Sequence, residues 1–204
     1  AQVRGRIIGH FSDMTPWSTF LGVPVKGMVH VVALFSDAFS LDAKIRGLHV
    51  ADDFHAEHVS LKVDLDDLWN SSHGELKVNA AGVTSGSLSL ARGSFTAQQI
   101  DNGAGPGWGF TVSGQGHLLG PLNIEATGQL LSEADLAQHR LSIKKLSGTY
   151  REESFALESP LDITQSPNQT ELSPCRLRIG RGVIEGHGSA DTERFTATLL
   201  MRDL

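Results

Sequence analysis

The chain has 204 residues but only one cysteine, Cys175, and one tyrosine, Tyr150. A single cysteine excludes an internal disulfide and leaves the redox compartment unread. No activating group stands beside it in sequence, so it reads as a small strand-end side chain rather than a nucleophile. Long apolar runs are missing too. The greasiest stretch, "GMVHVVALF" from Gly27 to Phe35, carries His30 and falls well short of the roughly 20 residues a membrane-spanning helix needs. There is no block of lysine or arginine: the net charge is −6, and cations such as Arg176, Arg178 and Arg181 are spread singly. A nucleic-acid surface needs concentrated positive charge, so that partner is excluded. The chain opens at Ala1 without methionine or a secretory signal and stops at Leu204 just after a strand-like run. It reads as a piece of something longer, which leaves open a leader or anchor outside it.

Catalytic signatures are equally scarce. The hydrolase elbow G-x-S-x-G is absent, and "GVTSG" at Gly82–Gly86 has the wrong spacing. "DDFHAEH" gathers Asp52, Asp53, His55, Glu57 and His58, but the zinc-protease order is missing and the neighbouring period is two. On a strand His55 and His58 would point to opposite faces, so the stretch reads as a polar turn entering a strand. "IGRGVIEGHG" carries G-x-G-x-x-x-G at Gly180, Gly182 and Gly186, and "GQGHLLG" repeats that spacing from Gly114 to Gly120. A phosphate-cradling loop needs a helix directly after it. Here glycines or another alternating run follow, so both read as turns between strands. Glu152 and Glu153 in "TYREES" read as a solvated hairpin end. "NSS" at Asn70 and "NQT" at Asn168 match glycosylation sequons, a pattern common by chance. No metal, cofactor or catalytic residue is expected, and the chain is read as no enzyme.

What is abundant is glycine, 22 in all, and an apolar–polar rhythm of two. Apolar positions recur at Val59, Leu61 and Val63; at Leu76 and Val78; at Leu88 and Leu90; at Phe110 and Val112; and at Leu122 and Ile124. The rhythm continues at Leu141 and Ile143, Phe155 and Leu157, Leu177 and Ile179, and Phe195 and Leu199. Such alternation gives each strand one wet and one dry face. Turn signals such as "SSHG", "IDNGAGPGWG" and "SPNQ" separate the runs. "FSDMTPWSTFLG" predicts one short helix, with Ser12 or Asp13 as N-cap, Pro16 in the first turn and Gly22 as its stop. "DDLWNSS" is a possible second, while "SEADLAQ", between strand-like runs, reads as a turn. Without amphipathic helices between the runs, a doubly wound α/β fold is excluded. An antiparallel meander, sandwich, barrel or elongated groove remains, in a single domain spanning residues 1–204.

Two stretches carry a family resemblance. "DMTPWSTFLGVPVKGMVHV" is similar to a recurrent phrase of the TamB family, a short Pro-Trp helix, a turn and G-x-V-x-V. "LSGTYREESFALESPLDITQSPNQTELSPCRLRIGRGVIEGHG", from Leu146 to Gly188, resembles that family's order of L-S-G-x-Y, P-x-x-I-T, L-x-P and I-G-x-G more specifically. TamB is the periplasmic, inner-membrane-anchored member of the translocation and assembly module of diderm bacteria, and is related to AsmA-like proteins. The resemblance implies an all-β fold of mostly short antiparallel strands forming a long curved sheet, a β-taco with a hydrophobic groove and one or two short helices. It further implies phospholipid carriage between inner and outer membranes, or assistance to outer-membrane protein assembly with a barrel partner of the TamA type. The family brings no residue-level active site. The alternating apolar positions named above are therefore expected to line the groove, and the exposed edge strands to permit self-association. A strand of about 6 residues spans roughly 20 Å, close to an extended acyl chain.

Overall fold

Each alternating run of the sequence becomes a strand, and most strands are longer than the runs that announce them. A computed structural model describes residues 4–66, 73–101, 106–133, 138–191 and 194–203. The fold is all-β, a single antiparallel sheet of fourteen strands with one short helix. In chain order the elements are β1 (Gly5–Phe11), α1 (Trp17–Leu21), β2 (Val25–Phe35), β3 (Phe39–Val50), β4 (Phe54–Leu65), β5 (Gly74–Ser85), β6 (Leu88–Asp101) and β7 (Pro106–Leu118). There follow β8 (Pro121–Glu133), β9 (Gln138–Tyr150), β10 (Glu153–Ser159), β11 (Leu161–Gln165), β12 (Gln169–Ile179), β13 (Gly182–Asp191) and β14 (Phe195–Arg202). Sequence neighbours pair in order from β1 to β14, and β10 and β11 share one lane between β9 and β12. Strands of 11–14 residues dominate the first half, so each reaches about 40 Å rather than 20 Å. "DDLWNSS" lies, apart from Asp66, outside the described residues, as do Asn70 and the centre of "SEADLAQ".

The turns follow their local chemistry. The expected helix forms, but its N-cap is Pro16 and not Ser12 or Asp13. Asp13 instead accepts hydrogen bonds from the amide and hydroxyl of Thr15, closing a turn ahead of the helix. Gly22 ends the helix at φ 72°, as expected. The Ser18 hydroxyl then clamps the helix to the first residue of β2, accepting from the Val25 amide and donating to its carbonyl. "IGRG" is the two-residue hairpin between β12 and β13, with Gly180 at φ 54° in the first loop position. "GQGHLLG" is only in part a turn: Gly114 and Gly116 lie inside β7. A Cβ at Gly116 would strike the Ser89 carbonyl oxygen, so glycine there serves close backbone approach. "TYREES" is a hairpin end whose two loop residues, Arg151 and Glu152, both sit at positive φ, 49° and 75°.

The chain groups into two compact units: residues 1–98 with 113–121, and residues 99–112 with 122–204. In the first, the two-residue rhythm breaks once on each of four neighbouring strands. The dry face runs Leu41, Ala43, Ile45 and then Leu48 on β3, and Val63, Leu61, Val59 and then Ala56 on β4. It runs Leu76, Val78, Ala80 and then Val83 on β5, and Ala97, Phe95, Gly93 and then Leu90 on β6. Ile45, Val59, Ala80 and Gly93 pair across one side of the break, and Leu48, Ala56, Val83 and Leu90 across the other. The breaks therefore lie at one level and mark a crease line across the four strands, with one residue of each left out of the ladder and the register unchanged. Gly47 (φ 59°) and Gly82 (φ 60°) make the break on β3 and β5, and Gly27 (φ 143°) flanks it on β2.

The second unit has an equivalent line with different chemistry. β9 gains an extra residue at Lys144, where Thr127 pairs with Lys145 and Gly128 with Ile143. Beside it Pro160 separates β10 from β11, and Pro174 lies where β12 shifts register between Leu172 and Cys175. Proline lacks the amide a ladder needs, so it interrupts pairing. The Ser173 hydroxyl bridges the gap by accepting from the Asp162 amide at 3.0 Å. Cys175 is thus a half-buried mid-strand residue at a register shift, not a strand-end side chain.

Candidate functional site

Alternation places all nineteen expected lining residues on strands. None of them is buried: all are half-buried except Phe195 and Leu199, which are exposed. In the first unit Leu61 faces Ala43 and Val78, and Val63 faces Leu41 and Leu76, so these side chains form cross-strand rows on one face. In the second unit Leu141 stands between Leu130 and Ile163, and Leu157 faces Leu177, which faces Ile184. Phe110 and Phe155 cover the space where Gly128 and Gly148 would carry a Cβ.

The side chains that are buried are the ones the alternation count passed over: Val25, Val29, Ala33, Ala43, Ala56, Val83 and Ala97. All belong to the first unit. No large side chain is fully buried anywhere in the described residues. They contain no second sheet and no helix beyond α1, which packs on β2. Full burial of a Leu, Val or Phe is worth about 1.5–3 kcal/mol, so each of these partly covered side chains leaves roughly a tenth to a third of that unclaimed. A signal for the buried set exists in the sequence: an apolar spacing of three inside a run of twos, as from Ala56 to Val59, marks where the rhythm shifts.

The opposite face is polar and locally neutralised. Lys62 pairs with Asp64 at 2.7 Å while the Ser40 hydroxyl donates to the same carboxylate at 2.8 Å. The hydrogen bond from Lys62, then that from Ser40, holds the Asp64 carboxyl below the usual carboxylate range. Lys77 and Gln98 do the same for Glu75. In the second unit the Ser142 hydroxyl and then Arg140, 2.7 Å away, depress Asp162. Arg176 and Arg178 both reach Glu158, at 2.7 and 3.4 Å.

The histidines of "DDFHAEH" are part of β4 rather than of a turn. Only Asp52 and Asp53, with Ala51, make the turn. The shift at Glu57 puts both histidines on the polar face, contrary to the opposite faces that strict alternation demands. His58 pairs with Arg46, and His55 stacks on His49 with ring centroids 4.2 Å apart. Among the described residues no three His, Cys, Asp or Glu side chains gather as a metal site. Surface hollows of about 310 and 340 Å³ lie beside Pro174 at the second crease, and one of about 470 Å³ lies beside α1. All three are open, and neither Leu61 nor Val63 lines any of them. Compared with known proteins, the chain matches no family model, no curated protein and no solved structure.

Proposed function

We propose that the dry faces of the two units hold the hydrocarbon tails of phospholipids, and that the protein works as a non-catalytic conduit segment in the periplasm. The observation that carries this reading is the incomplete burial of every expected lining residue, with no described layer above them. Apolar side chains left open over a contiguous face mark an interaction surface. The TamB resemblance of the two sequence stretches supports the same reading and suggests an outer-membrane barrel as the partner.

The energetics suit passage rather than storage. Removing a methylene from water is worth about 0.8 kcal/mol, so a 16-carbon tail gains on the order of 12 kcal/mol on entering an apolar face. A bilayer offers nearly the same gain. Exchange between the two is then close to neutral, and only a continuous apolar lining is required. No single side chain needs to be irreplaceable.

The test is a photo-crosslinking amino acid at Leu61 in the first unit, at Val112 in the second, and at polar-face Lys62 as control. Phospholipid is expected to be captured at Leu61 and Val112 and not at Lys62. Capture at Lys62 alone, or at none of the three in lipid-loaded protein, defeats the reading.

A further inference from the structure

We propose that the polar face of the first unit is an acid-triggered docking surface for an anionic lipid bilayer, built from five histidines. Headgroups and not tails are met there, on the face opposite the apolar rows, so the lipid-tail reading is not required. The chain has nine histidines, and five of them share this face. The register fixes their company. His10, His30 and Lys44 stand abreast on β1, β2 and β3. The next row is Met28, Arg46 and His58, continued through Ala81 to Arg92 on β6. Past the break comes the row of Lys26, His49 and His55. Each of these histidines is cross-strand to a cation or to another histidine, and none to a carboxylate. All are exposed except His55, which is half-buried. The other half of the face is balanced: Lys62 pairs with Asp64 and Lys77 with Glu75, while Arg6 is matched in number by Asp42. Asp42, diagonal to His30, stands directly opposite Lys62.

Charge on the histidine half depends on pH. Its full cations are Lys26, Lys44, Arg46 and Arg92. Four carboxylates offset them: Glu57 at the break, Asp52 and Asp53 in the turn beyond His49 and His55, and Asp13, which Lys26 attracts from the loop before α1. Above about pH 8 the two sets cancel. Imidazole takes on its charge between about pH 8 and 5, so acid adds up to five positive charges and no negative ones. The shape suits a surface rather than a small anion. The rows run from β1 to β6, roughly 24 Å across, and none of the five histidines lines any of the three surface hollows. Apolar side chains interleave with the charges: Ile8, 56% exposed, and Met28, 47% exposed, stand on the same face. Cations mixed with open apolar side chains fit the boundary between headgroups and acyl chains, whereas an acidic polypeptide of purely polar character would leave Ile8 and Met28 unmatched.

The test is co-sedimentation of the whole chain with vesicles of one part phosphatidylglycerol to three parts phosphatidylcholine. A positive charge near an anionic leaflet is worth about fivefold in affinity, so binding is expected to be about 100-fold or more tighter at pH 5.5 than at pH 8. It is expected to collapse near 1 M salt, where charges are screened beyond about 3 Å, and to show no pH dependence on pure phosphatidylcholine. Replacing three exposed histidines together, His30→Gln, His49→Gln and His58→Gln, is expected to cost about 100-fold at pH 5.5 and nothing at pH 8, with an unchanged circular dichroism spectrum. Lys44→Gln with Arg46→Gln, which leaves every histidine in place, is expected to cost about 25-fold at pH 5.5. His139→Gln with His187→Gln, outside this face, is expected to change neither value. Equal binding at the two pH values, acid-dependent binding indifferent to both sets of replacements on the face, an equal loss in the His139 and His187 variant, or acid-dependent capture of polyglutamate without capture of anionic vesicles each overturns the proposal.

Discussion

Each unit interrupts its strands along a line of its own, and the two do so by different means. The first uses glycine: Gly47 and Gly82 at positive φ, with Gly27 alongside. The second uses an extra lysine on β9 and two prolines, Pro160 and Pro174, which remove ladder hydrogen bonds. Glycine permits a backbone shape that other residues resist, whereas proline withdraws a donor and stiffens the chain. Burial differs in step. The first unit buries seven small or medium apolar side chains, and the second buries only glycines among its described residues. Ala56 and Val83 are buried beside the line in the first unit, whereas Leu157 and Leu177 beside that of the second are only half-buried.

The sharpest way to break this comparison is to exchange the devices. Gly27→Val places a Cβ about 3.1–3.3 Å from backbone atoms of Arg46, Gly47 and Leu48 at a φ of 143°. It is expected to lower stability by about 3 kcal/mol, read as a drop in the urea midpoint. Pro174→Ala, by contrast, is expected to cost only ~0.4–1 kcal/mol, because the gap in the ladder is already bridged by Ser173. Similar losses for the two would erase the distinction between the creases.

Packing gives the next effect. Ala56 is 0% exposed, so Ala56→Leu is expected to destabilise by about 1–3 kcal/mol through overpacking. Leu157→Ala at a half-open site of the second unit is expected to lose about 1 kcal/mol, with almost no cavity term. Thermal melts of both variants measure the contrast.

The hairpin between β9 and β10 sharpens the account from the other direction. Arg151 and Glu152 hold two successive positive φ values that suit Asn-Gly. Replacing the pair by Asn-Gly is expected to raise stability by about 1–2 kcal/mol, measured as a higher melting temperature. The gain should appear without any change at the crease.

The smallest effect is electrostatic and common to both units. Asp64 and Asp162 have carboxyls depressed by hydrogen bonds, from Lys62 and Ser40 in one case and Ser142 and Arg140 in the other. A depressed folded value contributes stability that is present above the unfolded value, near 4, and is lost as pH falls through the folded one. The stability difference between wild type and Asp162→Asn is therefore expected to be constant above about pH 5 and to shrink below about pH 4. Asp64→Asn should behave alike, as urea midpoints against pH will show.

Much of this architecture was legible in the residues. The rhythm at Val59, Leu61 and Val63 marked a strand, and "IGRG" and "TYREES" marked hairpins, because alternation and turn chemistry are local properties. The reading failed where strands change phase. Residue type alone puts His55 and His58 in a turn, and strict alternation puts them on opposite faces of a strand. The extra residue at Glu57 carries both histidines to one face. The seven buried positions escape an alternation count because alanine carries a weak apolar signal and because burial depends on which neighbouring strands cover a residue, not on its own strand's pattern.

The sequence by itself determined that the chain is antiparallel β-structure with one apolar face per strand, since side-chain direction follows the two-residue repeat of an extended backbone. Only the tertiary structure decided that the phase breaks of neighbouring strands fall on one line, and which apolar residues that line covers. Register is a relation between strands far apart in sequence, and it is set when several strands can tolerate a bend at the same level together.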